Sequence, residues 1–321
     1  MSALFGRKRE EGKTALVVDI ENGSVGSALV YLSPQQPPKL FGEVRRRAPL
    51  LFSRSAHELS RHIEKAAREA LIHVGEVAVR LRAHPNLAHL GTPSHGHIFL
   101  HAPWSTMSFN DAGYPMVAVA EDFLSAMRSL HTTTLGEIPF FFHAFGATTA
   151  PLLPPLYEIT DDSLICVVSS EVVELLLISG GAVAGYATIP FGTHTLLRTL
   201  TVHGGMSEHE ARSLFTLSYH HGREALDASV AHYSAEVRDV ARELLANHAV
   251  GEVFVVAHEP YAEWFAQALT HSELENIFTS GGRVRAVRPH HITPYLAAHA
   301  RKPDLALMLG SLFADYRPSV I

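Results

Sequence analysis

Residues 14–31 read TALVVDIENGSVGSALVY, and the rest of the chain is best read outward from this stretch. Apolar runs flank Glu21-Asn22-Gly23-Ser24, four polar or small residues that favour a tight turn, so the segment is a β-hairpin. Asp19 stands just before the turn. After a mid-chain break at Pro151, Pro154 and Pro155, the layout returns: Leu164 to Ile178 and Gly181 to Ile189 form a second apolar hairpin around Ser179-Gly180-Gly181. An internal echo of this kind points to two similar domains.

The remaining elements fall around these hairpins. Leu40 to Arg47 is a third strand after the Pro34–Pro38 bend, and Ser55 to His73 is a helix with Leu59, Ile63, Ala66, Ala67 and Ala70 on one face. Ser55 and Glu58 form its capping box. From Val77 to Leu135 the texture changes: extended runs at Glu76 to Arg82 and His97 to Ala102 alternate with Gly/Pro/Ser segments, and one helix lies near Val119 to Leu130. That reads as a small inserted α+β subdomain, about 77–135, and Phe140 to Ala147 is an aromatic strand end. Beyond the boundary near residue 155, Ser207 and Glu210 make a second capping box and a long helix spans Ala225 to Asn247. A buried-type strand covers Glu252 to Ala257, with a helix from Tyr261 to Thr270 after it. The expected units are 1–155, 156–300, and a C-terminal segment 301–321 whose helix returns to the first domain.

Composition narrows the function classes. The chain has 321 residues, 47% hydrophobic and 18% charged, enough apolar material for two or three cores. No uninterrupted apolar run of about 18 residues occurs, so no bilayer-spanning helix is expected. Met1 to Lys13 lacks an apolar stretch of signal type, and the single Cys166, set in an apolar run, reads as a core residue. Both fit a cytosolic address. Net charge is −6, with basic residues in short clusters such as Arg45-Arg46-Arg47, which argues against nucleic-acid binding. The 22 histidines are scattered and read mostly as surface or half-buried polar residues; His57 and His62, five apart, fall on different helix faces. Phosphate-loop, nucleophile-elbow and dinucleotide motifs are all missing.

A Gly/Ser-tipped hairpin preceded by Asp, repeated after a mid-chain break, resembles the plan of the actin/sugar-kinase/chaperone ATPase superfamily. The later order narrows the resemblance: Ile189-Pro190-Phe191-Gly192 before a helix, Gly205-Met206-Ser207-Glu208-His209-Glu210-Ala211, the strand and helix from Val253 to Leu269, and the closing Ala306-Leu307-Met308-Leu309-Gly310. Together they are similar to the PilM/FtsA family of actin-like proteins. The resemblance implies an α/β, actin-like (ribonuclease H-like) two-domain fold with an inserted subdomain used in protein contacts. The chain stops at Ile321 without a counterpart of the FtsA membrane-targeting helix, which favours the PilM side.

In such proteins two facing tips grip phosphates through free backbone N–H groups, and acidic residues organise Mg²⁺. Asp19, Asn22, Gly23 and Ser24 supply the first tip here, with Ser169, Ser170 and Gly192 on the second side, should a nucleotide bind. Asp19 is either the magnesium-side acid or an ordinary turn-stabilising carboxylate. Set against the family's Asp-x-Gly/Ser-Gly-x-x-Thr pattern, Val167 and Val173 replace the acid and the Thr. Ala211-Arg212-Ser213-Leu214-Phe215 replaces Ala-Glu-x-x-Lys, and Ala257-His258-Glu259-Pro260 replaces the glycine bend on the adenine side. Glu171 and Glu174 are candidates to stand in for the missing acid, although strand alternation is expected to turn Glu171 to solvent. No catalytic residue and no required cofactor are therefore expected, ATP and Mg being possible ligands. Trp104 and Phe109 are either inserted-subdomain core or exposed partner anchors. The implied role is a scaffold at the inner membrane that binds the cytosolic tail of a bitopic, PilN-like pilus assembly protein, with self-association open. The alternative is an active Mg-ATPase that polymerises or cycles.

Overall fold

The computed structural model describes residues 12–52, 56–110, 115–120, 138–216, 223–246, 248–270 and 278–316. Strands β1 (Lys13–Ile20), β2 (Ser24–Ser33) and β3 (Gln36–Arg47) form an antiparallel meander, and β4 (Pro93–Leu100) lies parallel beside β1. The chain then makes a separate hairpin, β5 (Ser105–Phe109) with β6 (Pro115–Val119), before β7 (Phe140–Ala144) joins parallel to β4. A second meander follows, β8 (Ser163–Val168), β9 (Val173–Ser179) and β10 (Ala182–Ile189). Next, β11 (Val250–Val256) lies parallel to β8, and β12 (Phe278–Ala286) lies parallel to β11. The short β13 (Ala297–Ala298) closes the far edge of the first sheet against β3. Without that edge the orders are β3-β2-β1-β4-β7 and β10-β9-β8-β11-β12, one plan built twice.

Strand alternation sets the layers, because successive side chains point to opposite sheet faces. In β1, Leu16, Val18 and Ile20 pack under helix α1 (Ala56–Arg82), whereas Ala15 and Val17 enter a central core. β8 divides the same way. Leu164, Cys166 and Val168 face a core built with helices α2 (Thr193–Val202), α3 (Glu208–Leu214), α4 (Arg223–Leu245) and α5 (Tyr261–Thr270), whereas Ile165 and Val167 join the central core. Helix α6 (Leu305–Tyr316) fills that central layer with buried Leu307, Met308 and Leu309, and it packs across β1, β2 and β3.

Three sequence expectations need correction. Glu76 to Arg82 is not extended; it is the last part of α1. Its alternation coincides with helical spacing, since Ala70, Val74, Val77, Ala78 and Leu81 continue one face onto the first-domain core. The run His97 to Leu100 belongs to β4, in the middle of the first sheet, so among the described residues only the β5–β6 hairpin stands outside the two main sheets. Leu164 to Ile178 is two strands, because Ser169 turns the chain: its N–H and its hydroxyl both donate to Val172 O, at 2.9 and 2.8 Å. The capping residue Ser55 and the expected helix beyond residue 120 lie outside the described residues. By contrast, the Ser207–Glu210 capping box is present with both reciprocal bonds. Among the described residues no helix is long and apolar enough to cross a membrane.

Burial overrides composition for several histidines. On the central-core face of the first sheet, His97 Nδ1 and His143 Nε2 lie 3.0 Å apart between Phe99 and Phe141. Burial, reinforced by the neighbouring imidazoles, pushes His97 down to about 3, and burial pushes His143 down to about 4. Below an unfolded value of 6.5 the unfolded chain binds more protons than the folded one, so stability falls as pH drops from about 6.5 toward 3. The wild type should lose roughly 3 kcal/mol between pH 6.5 and 5 through this pair. A His97→Phe/His143→Phe variant, followed by urea unfolding at each pH, should show a flatter profile over that window.

Candidate functional site

The two equivalent meanders present their first turns to each other. Glu21-Asn22-Gly23 joins β1 to β2, and Ser169 to Val172 joins β8 to β9. Asn22 links them: its Oδ1 accepts the Glu171 N–H (2.9 Å) and its Nδ2 donates to Ala102 O (2.9 Å). The Ala102 N–H in turn donates to Glu174 Oε1 across the interface (2.6 Å), and the Ser170 hydroxyl reaches Glu21 Oε2 (3.5 Å). The second tip is seated on α2, whose Thr193 and His194 N–H groups donate to Ser169 O and Ser170 O, next to Gly192. Gly23 is required by this contact. A Cβ there would stand 2.1 Å from Ser170 Oγ and 2.7 Å from His194 Cε1.

Behind the first tip lies a buried charge network. Asp19 on β1, Gly26 on β2 and Arg45 on β3 share one cross-strand row. Because Gly26 has no side chain, the Arg45 guanidinium crosses over it; a Cβ would lie 2.6 Å from Nη2. Arg45 donates to Asp19 Oδ2 (2.6 Å), to Ser24 Oγ (2.8 Å), and to both oxygens of Asp304 ahead of α6 (2.5 and 3.0 Å). His101, just past β4, donates to Asp19 Oδ1 (2.8 Å). Burial by itself would raise the Asp19 carboxyl, but His101 and Arg45 hold it below its ordinary value. The same contest ends with Asp304 at about 2, mainly through Arg45. Burial raises Glu174, outweighing His101 and the Ala102 N–H.

Glu21 faces the second domain. Its Oε1 lies 2.5 Å from His258 Nε2, just past β11, yet the imidazole is turned so that this buried nitrogen has no hydrogen-bond partner. Burial raises the Glu21 carboxyl, and His258, His101 and Arg45 bring it down to about 2. Glu171, expected to face solvent, is instead clamped by Arg198 Nη2 (2.5 Å) and His194 Nδ1 (3.2 Å). Trp104 is buried in the first-domain core, only 6% exposed, and Phe109 is half-buried against the central core, so neither is a free surface anchor.

The duplication makes the tips comparable residue by residue. Val167 occupies on β8 the place of Asp19 on β1: it pairs with Glu174 and Val256 as Asp19 pairs with Gly26 and Phe99. Two residues beyond Phe99 and Val256 come His101-Ala102-Pro103 and His258-Glu259-Pro260. The repeated His-x-Pro after a buried strand was a usable sequence signal, and together with Arg45 it supplies the site residues that motif reading passed over. Of the predicted set, Asp19, Asn22, Gly23, Ser24, Ser169, Ser170 and Gly192 do converge here.

No protein-family model matches the chain, and no curated protein matches it. Among solved structures, a chain of the PilM-PilN type IV pilus biogenesis complex is similar at 15% identity and a TM-score of 0.58, over 96% of this chain and 99% of that one. The ethanolamine utilization protein EutJ from Carboxydothermus hydrogenoformans is similar at 13% identity and a TM-score of 0.55, over 95% and 92%. The fold is actin-like. In this actin-like cleft the tips touch, and among the described residues cavities of about 10 and 30 Å³, each lined by Glu21 and His258, adjoin them. Ligand pockets run to roughly 300 Å³ or more. A magnesium triphosphate does not fit these cavities, and Val167 offers no oxygen where Asp19 stands on the first strand.

Two outcomes follow from this geometry. Gly23→Ala should destabilise the protein by about 1–3 kcal/mol, and Ser170→Gly in the same chain should recover part of the loss, read as a double-mutant cycle in denaturant. Arg45→Met should cost about 3–5 kcal/mol, because Asp304 is left buried without its main counter-charge and Asp19 keeps only His101.

Proposed function

We propose that this chain is an actin-like scaffold of a type IV pilus-like inner-membrane assembly machine, and that it works without hydrolysing ATP. The observation that carries the reading is the joined pair of tips. Asn22, Glu171, Ala102 and Glu174 bond the two domains directly where relatives of this fold would place phosphate. Closure in this protein is built from its own side chains. The likeness to the PilM chain of the PilM-PilN complex supports the choice of machine.

The partner in this reading is the cytosolic tail of a bitopic, PilN-like membrane protein. The β5–β6 hairpin is the place for it. It is a two-stranded unit outside both main sheets, it carries exposed Met116 (55%) and Val117 (45%), and an extended tail can add to such a hairpin as a further strand. Peripheral residence at the membrane then follows from the partner.

Two measurements test the reading. With Mg-ATP at 100 times a working dissociation constant, an ATP-binding protein gains about 2.7 kcal/mol of apparent stability. This chain should show no such gain, and no ATPase rate above an Asp19→Ala control. A photo-crosslinker at Met116 should capture one bitopic inner-membrane protein in cells, and Val117→Asp should abolish the adduct. Turnover lost in Asp19→Ala would establish the ATPase alternative in its place.

A further inference from the structure

We infer that Asp19, Glu21 and His258 form a binding site for a bare first-row transition dication of the Zn²⁺ class, independent of any nucleotide. The inference goes beyond the scaffold reading, which needs no metal. Among the described residues these three are the one set of His, Cys, Asp or Glu side chains that offers ligand atoms all within 4.8 Å of one another. Ligands held about 2.0–2.2 Å from a common ion satisfy that spacing.

The ligand types choose the metal. Oxygen-only sites suit Mg²⁺, whereas an imidazole nitrogen with two carboxylates suits Zn²⁺ and its neighbours. His258 Nε2 is buried and has no hydrogen-bond partner, although Glu21 Oε1 is only 2.5 Å away. The two ligand atoms, one from each domain, already stand side by side, and a small opening of this contact lets both reach one ion. The small adjoining cavities, about 10 and 30 Å³, admit an ion and a water but no phosphate group.

An outer shell is already in place. Ligating carboxylates in metal sites are themselves hydrogen-bonded, which fixes their orientation. Here Arg45 and His101 hold Asp19, and Ser24 and Ser170 hold Glu21. Each carboxylate oxygen has a second lone pair, so these bonds leave ligand positions free. Asp304 adds a third buried carboxylate against the Arg45 charge, keeping the site negative. The ligands also come from both domains, Asp19 and Glu21 from the first and His258 from the second, so an ion here would clasp them together.

The test is titration of the chelator-treated full chain with Co²⁺, a spectroscopic stand-in for Zn²⁺, and then with Zn²⁺ itself. Wild type should take up one equivalent more than a Glu21→Gln/His258→Gln variant, with visible bands of a low-coordinate nitrogen–oxygen site that Zn²⁺ displaces and Mg²⁺ does not. His258→Gln alone should weaken binding at least tenfold. Equal uptake by wild type and variant, the remaining histidines accounting for all of it, would overturn the site. If the variant does not fold, the wild-type spectrum decides: only the bands of aquo Co²⁺ would also overturn it.

Discussion

One guanidinium organises the centre of this protein. Arg45 leaves β3, crosses the bare backbone of Gly26 on β2, and meets a fully buried carboxylate on β1 and a second one at the start of α6. Together with His101 it keeps Asp19 ionised inside a core, where burial alone drives the carboxyl toward the neutral form. Buried ion pairs of this sort add little net stability compared with an apolar replacement. What this one supplies is position: it ties three strands and α6 to one point and holds the first tip where the second can meet it.

Duplication explains why so many charges gather there. Two copies of one sheet plan face each other, so equivalent residues arrive at the cleft from opposite sides. The two copies differ in the residues they bring. Where the first sheet has Asp19 the second has Val167, and where it has Gly26 the second has Glu174, whose carboxylate binds the Ala102 backbone of the opposite domain. Both His-x-Pro turns carry an imidazole, and since only the first tip offers Asp19 and Glu21, both histidines turn to it. The second tip is served by Arg198 and His194 through Glu171. The cleft is therefore asymmetric in chemistry while symmetric in backbone.

Domain closure here depends on backbone and side-chain bonds that shape alone would not supply. The central core continues from the first sheet through α6 to the second sheet, so apolar burial brings the domains together, but it does not set their angle. Angle is fixed at the tips, where a two-pronged Asn22 and the close approach of Gly23 to Ser170 leave one seating. Residues usually discussed for ligand contact thus act here as joints between domains.

The sequence by itself determined the strands, the hairpins and the duplicated plan, because period-two burial, turn chemistry and the Ser207–Glu210 capping box act over a few residues and leave local marks. It misread Glu76 to Arg82, where alternation and helical spacing coincide, and it joined β8 to β9 because the Ser169 turn carries no Gly or Pro. It also proposed Asp19, Asn22, Gly23, Ser24, Ser169 and Ser170 as one cleft, from the hairpin repeat. Only the tertiary structure decided what that cleft contains. Arg45, His101 and His258 reach Asp19 and Glu21 from distant points of the chain, and nothing local to any of them marks the partnership. Their placement follows from strand register and from two sheets packing face to face, which are cooperative results of the whole core.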